Sequence, residues 1–302
     1  MNDVLVRNQL EIEIPPEQWV NLNDAWSRFE KEAAIGSCPT SRYELPYFAW
    51  GEGPPLLFIH GLADDMLSFV LPVSILSRHF CCIAYDLPRG TSDKAKLGRY
   101  RHADFTDDLF QLMDHLNIDR SYIYGSSFGS TITLSALHKQ PERFERAVLQ
   151  GGFAKRPLAL GEIFLCSLAR YWKGPMKNLP FREQCLRVAH FDCFAPREED
   201  VWNYYLERAC STPMSSVARM ALILHQVDLR AKLSAIKQPV LMICGDRDHL
   251  VGKDCEETLL EGLPNVSRVE FARCGHLPYF THPELTAEVI QRFCKPPLPC
   301  QI

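Results

Sequence analysis

Short apolar runs separated by glycine- and proline-rich turns set the rhythm of this chain. Leu56-Leu-Phe-Ile59, Cys81 to Tyr85, Tyr122 to Tyr124, Ala147 to Gln150, Val240 to Cys244 and Val266 to Phe271 each have the length and composition of a strand. Leu56–Ile59 is apolar at every position, as expected of a strand covered on both faces of a sheet. Helix-like stretches lie between these runs. Strand–helix alternation predicts an α/β fold: a mostly parallel central sheet, right-handed crossovers and helices on both faces. Tyr43 to Trp50 reads as a further strand, closed by the turn Gly51-Glu-Gly-Pro-Pro55. In such sheets the functional loops lie beyond the carboxyl ends of the strands.

Two segments break the pattern. Residues 16–35 read as one amphipathic helix, with Trp19, Leu22, Trp26, Phe29 and Ala33 on one face and Gly36 as its stop. That face is read as packing on its own domain rather than on a partner. Between about 154 and 236 the alternation gives way to helical and irregular sequence rich in aromatics: Phe164, Tyr171, Trp172, Phe181, Phe191, Phe194, Trp202, Tyr204 and Tyr205. An insertion of this kind between two strands can lie over a site as a cap, its aromatics forming mainly its own core. The expected organisation is an N-terminal extension over 1–42, a core over 43–153 and 237–294, a helical cap over 154–236 and an extended tail over 295–302.

Composition narrows the classes without naming one. An apolar content of 46% over 302 residues allows a sizeable core, and with a net charge of −4 and no lysine/arginine run to suggest nucleic acid or an anionic membrane, no nucleic-acid partner is expected. The N-terminus lacks the pattern of a signal peptide, and the most apolar helix candidate, Val217 to Val227, is interrupted by Arg219, His225 and Gln226. A cytoplasmic protein without a membrane span is therefore expected. The twelve cysteines include no Cys-x-x-Cys pair and are read as small buried side chains, not as a metal site or disulfide framework. No metal or cofactor is expected.

The chemistry concentrates in Ser121-Tyr-Ile-Tyr-Gly125-Ser126-Ser127-Phe128-Gly129. A strand running through Gly-x-Ser-x-Gly into a helix exposes the serine on a tight turn, with Gly125 and Gly129 leaving room for it. Ser127 is the candidate nucleophile and needs a base. His276, in Arg273-Cys-Gly-His-Leu-Pro after the last strand, is the best placed; His249 and His282 compete. The base needs a carboxylate to orient it, and Gly245-Asp246-Arg-Asp248 offers two. Asp248, further into the loop, is preferred; Asp246 may instead bond loop amides, and Asp228 is a remoter candidate. The backbone N–H groups of Phe128 and Leu62 are the expected oxyanion donors, Gly61 allowing close approach. His60 reads as a loop-organising side chain.

These residues together resemble the α/β-hydrolase superfamily over roughly 43–294: His60-Gly61, the Gly125–Gly129 turn, Gly245-x-x-Asp248 and Gly275-His276, in the order Ser, Asp, His. The resemblance implies the α/β-hydrolase fold with a helical cap, and the roles just assigned to Ser127, Asp248, His276, Leu62 and Phe128. The chain departs from the family's usual Asp-x-Pro-Gly-x-Gly-x-Ser at Asp86-Leu-Pro-Arg89-Gly90-Thr-Ser92, which is one residue shorter and carries an arginine. Arg89 is expected to face solvent rather than an anionic substrate group. The leading expectation is a serine hydrolase that cleaves small-molecule carboxylic esters through an acyl-enzyme. Acyl transfer, carbon–carbon bond hydrolysis and perhydrolysis use the same triad, and a non-catalytic binding protein on this fold is the rival of another class. The substrate and the oligomeric state are not legible in the sequence.

Overall fold

In the central strands, alternate side chains enter two separate apolar cores. Leu57, Ile59, Ile83, Tyr85, Ile123, Ala147, Leu149, Val240 and Met242 pack on one face of the sheet. Leu56, Phe58, Cys82, Ala84, Tyr122, Tyr124, Val148, Leu241 and Ile243 pack on the other. A period-two ribbon with both faces buried has no polar side to show, which is why these strands read as unbroken apolar runs.

The computed structural model describes residues 8–10, 18–90, 95–172, 174–178, 182–187, 190, 192–194 and 199–294. The expected tail over 295–302, Thr91 and Ser92, and Phe181 and Phe191 lie outside the described residues. The strands are β1 (Asn8–Leu10), β2 (Ala34–Pro39), β3 (Glu44–Trp50), β4 (Pro55–Ile59), β5 (Cys81–Tyr85), β6 (Ser121–Ser126), β7 (Phe144–Gln150), β8 (Val240–Gly245) and β9 (Val266–Phe271). Among the described residues they form one sheet in the order β1-β9-β8-β7-β6-β4-β5-β3-β2. β3 is antiparallel to both β2 and β5, and the remaining pairs are parallel.

The chain leaves β4 for β5 on one side and returns to β6 on the other. A crevice therefore opens beyond the carboxyl ends of β4 and β6, where such sheets place their sites. Register brings the neighbouring ends level: Ile59 lies opposite Gly125, Ser126 opposite Gln150, Gln150 opposite Ile243, and Gly245 opposite Phe271.

The N-terminal segment differs from expectation. Its helix runs only over Leu22–Glu32, because the Asn21 side chain caps the Asn23 and Asp24 amides and the helix ends at Ala33. Trp19 and Ala33 fall outside it. Gly36 is no helix stop but lies within β2, an edge strand whose mostly exposed side chains carry little alternation signal. β1 was not anticipated either. Ala25 and Phe29 are buried, Phe29 packs edge-on against Phe48 and Trp50, and the Trp50 indole donates to Glu32. The helix thus packs on its own domain.

Between β7 and β8 lie helices over Leu160–Ala169, Arg182–Leu186, Asp192–Phe194, Glu199–Ser211 and Met214–His225. This is the helical insertion. Among the described residues, no helix is long and apolar enough to cross a membrane. Cys38, Cys82, Cys244, Cys255, Cys274 and Cys294 are buried as free thiols.

Candidate active site

Ser127 follows β6 directly and opens the Phe128–Lys139 helix with φ 50° and ψ −115°, a backbone state that costs an L-residue free energy. The flanking glycines are required by space. A Cβ on Gly125 would meet Thr133 Oγ1 at 2.4 Å, and one on Gly129 would meet the Ile59 carbonyl oxygen at 2.3 Å. The strained turn is therefore wedged between β4 and its own helix, and the Ser127 amide donates to the Gln150 carbonyl at 2.8 Å.

The loops after β8 and β9 bring Asp248 to His276, with Asp248 Oδ2 2.7 Å from His276 Nδ1. Asp248 Oδ1 accepts the amides of Leu250 and Val251 at 2.9 and 3.1 Å. Burial alone would raise the Asp248 carboxyl, but the His276 hydrogen bond and charge and the two amides outweigh it and hold its pKa below the usual range. The competing candidates are accounted for elsewhere. Asp246 Oδ1 accepts the Cys274 amide at 2.9 Å, which is the loop-amide role that was its alternative. Asp228 pairs with Arg230 and Lys155. His282 Nδ1 contacts the Thr281 hydroxyl, and His249 is exposed.

His60 is buried, its Nδ1 2.7 Å from the Gly61 carbonyl, and its Nε2 accepts the Leu87 amide at 3.0 Å. Nδ1 therefore carries the proton, and burial pushes the pKa down to about 4, so the ring is a neutral brace for the Gly61–Leu62 loop. A Cβ on Gly61 would lie 3.4 Å from Ser127 Cβ, so this loop abuts the candidate nucleophile. Among the described residues, the Leu62 and Phe128 amides donate to no backbone or side-chain acceptor.

The solvent-facing expectation for Arg89 is overturned. Its guanidinium lies 3.2 Å from Asp65 and 3.5 Å from Asp86, and Asp65 also meets Arg208 of the insertion. Asp65 is the residue that caps the turn at Met66–Phe69. The arginine in the shortened loop thus ties three segments together behind the Leu62 amide.

Several residues that hold the site were missed. Gln150 accepts the Ser126 hydroxyl at 2.6 Å and donates through Nε2 to the His276 carbonyl at 2.9 Å, so one side chain spans the Ser127 turn and the His276 loop. Asp64 accepts the Tyr279 hydroxyl at 2.6 Å, joining the Leu62 loop to the His276 loop. Burial pushes Asp64 up to about 6, with Asp65 adding to it and the Tyr279 bond opposing. A glutamine at a strand end and an Asp–Tyr pair 215 residues apart leave no local signal. His190, from the insertion, is packed edge-on against Tyr205, and burial followed by the field of His276 pushes its pKa down to about 4.

Gly151 has φ 51°, and a Cβ there would sit 2.7 Å from His276 Cε1 and 3.4 Å from Asp248 Oδ2. Gly151→Ala should displace a closely packed imidazole. We expect kcat to fall roughly 100-fold, since misplacement of about 1 Å carries that effect, and stability to drop by at least about 1 kcal/mol from the left-handed backbone. Turnover of p-nitrophenyl acetate and a thermal melt check this; unchanged kcat would show that the ring can yield freely.

The insertion aromatics divide into two groups. Phe194, Trp202, Tyr204 and Tyr205 are buried against one another and against Phe280, as expected of a cap core. Phe164, Tyr171 and Trp172 are instead exposed, so the core reading fails for them. Hydrogen bonds from Tyr204 Oη to the Leu67 carbonyl and from Thr212 Oγ1 to the Ala63 carbonyl lay the insertion against the Leu62 loop. A separate cleft of about 670 Å³, lined by Arg101, His102, Ser135, Lys139 and Lys232 among others, includes none of Ser127, Asp248 and His276.

This sheet order, this strained turn and the loops that meet beyond it define the hydrolases of the α/β fold, and the chain belongs to that family: the α/β hydrolase fold model matches residues 54–283. An uncharacterised hydrolase of Bacillus subtilis is 29% identical over 253 residues, covering 80% of this chain and 89% of that one. A pimeloyl-[acyl-carrier protein] methyl ester esterase of Nitrosomonas europaea is 27% identical over 245 residues, covering 78% and 93%. Among solved structures, a thermophilic esterase from Thermogutta terrifontis superposes with a TM-score of 0.75 at 21% identity, covering 86% of this chain and 97% of that one, a likeness of fold.

Proposed function

We propose that this hydrolase cleaves small carboxylic esters with Ser127 as nucleophile. The observations that support the reading are the 2.7 Å Asp248–His276 pair and the serine held in a strained turn, linked through Gln150, whose carbonyl accepts the Ser127 amide and whose side chain donates to the His276 carbonyl. Ser127 Oγ attacks the ester carbonyl while His276 Nε2 takes its proton. The tetrahedral oxyanion is bound by the Leu62 and Phe128 amides. The intermediate collapses, His276 returns the proton to the departing alkoxide, and the alcohol leaves. Water, activated by the same imidazole, then releases the acid and regenerates Ser127.

A fluorophosphonate probe tests the assignment. Stoichiometric labelling at Ser127, together with p-nitrophenyl acetate turnover, is the expected result. A folded protein that takes up no label would favour a non-catalytic binding role for the fold.

A further inference from the structure

We propose that the Leu160–Ala169 helix, continued by Tyr171 and Trp172, is a docking face for an anionic lipid surface. Its large apolar side chains point away from the protein: Leu160 is 87% exposed, Phe164 64%, Leu165 65%, Leu168 59%, Tyr171 68% and Trp172 50%. Leu160, Phe164 and Leu168 recur at four-residue steps and so form one stripe along the helix, which Leu165 widens. The helix lies against Met214–His225, yet none of its own residues is buried. An apolar helix that is core to nothing, on a surface where contiguous apolar patches rarely exceed a few hundred Å², has the form of an interaction site.

Charge and aromatic placement select the occupant. Tyr171 and Trp172 end the stripe, and both carry a polar tip on an apolar ring, the pair of residue types that settles at headgroup depth. The Arg170 guanidinium stands 4.9 Å from the Tyr171 ring centre, and Lys177 is exposed a few residues on. The helix has one carboxylate, Glu162, which accepts the Ala159 amide and lies 3.9 Å from Arg156. Cations beside an apolar stripe match anionic headgroups around an acyl layer. A second copy laid on the same stripe would instead bring these cations towards their own duplicates, with Glu162, the one carboxylate of the helix, already engaged.

Flotation with phosphatidylcholine vesicles, with and without phosphatidylglycerol, tests this without reference to turnover, so it stands or falls separately from the ester-cleavage reading. The protein is expected to partition onto phosphatidylglycerol vesicles at least tenfold more strongly than onto phosphatidylcholine alone, and less as salt rises. Phe164→Glu with Leu168→Glu should lower partitioning at least tenfold with an unchanged thermal melt. Arg170→Glu with Lys177→Glu should erase the preference for the anionic lipid. Absence of vesicle binding, or binding that survives the Phe164/Leu168 pair, would overturn the proposal. So would a concentration-dependent dimer in light scattering that this same pair dissociates, which would assign the face to a second copy.

Discussion

Ser127→Ala is expected to lower kcat for p-nitrophenyl acetate by on the order of 10⁵-fold while the fold stays intact. Alanine cannot form the acyl-enzyme, and the Leu62 and Phe128 amides acting on a water-attacked ester leave only residual rate. The turn itself does not depend on the hydroxyl. Its shape comes from the space at Gly125 and Gly129 and from the Ser127 amide bond to Gln150, all of which survive in alanine. Melting temperature should therefore barely move. Ser127→Gly separates strain from chemistry: it should be equally inactive yet more stable, by about 1–3 kcal/mol, because glycine tolerates φ 50° without penalty. Near-normal turnover by the alanine variant would remove Ser127 from the mechanism.

Asp248→Asn should cost roughly 10⁴-fold in kcat at neutral pH, through a proton in the wrong place. Asp248 Oδ1 already accepts two amides, from Leu250 and Val251. An asparagine keeps those bonds only with its carbonyl on that side, which turns its NH2 toward His276 Nδ1. The imidazole must then accept at Nδ1 and carry its proton on Nε2, the atom that takes the Ser127 proton in the proposed mechanism. Fluorophosphonate labelling should slow in step with kcat, and the loss should ease at high pH where serine deprotonates without help. A loss below tenfold would mean that another group orients the ring; Asp246 is committed to the Cys274 amide and is no substitute.

The strands were legible because each encodes its own burial. Leu56–Ile59 and Cys81–Tyr85 are apolar on both faces, and the structure extends or trims such runs by only a few residues. The edges were harder. β2 is largely exposed and β1 is three residues long, so neither carries a periodic signature, and the end of the N-terminal helix was misread with them. The turn at Ser127 was legible for a different reason: two glycines flanking a serine between a strand and a helix make a five-residue signature, although the atoms that demand them, Thr133 Oγ1 and the Ile59 carbonyl oxygen, lie outside it. Arg89 was not, since its partners Asp65 and Arg208 come from other loops and only packing brings them together.

By itself, then, the amino-acid order determined the α/β layering, the serine turn and a short set of candidate side chains to act with it, because backbone preference and side-chain chemistry are written within a few residues. Tertiary structure alone decided that Asp248 and not Asp246 reaches His276, that Gln150 and Gly151 hold the group in place, and that the helix after Leu160 turns its apolar stripe outward. Those outcomes depend on strand order and register, which bring level the ends of segments as far apart in sequence as Gln150 and His276, 126 residues.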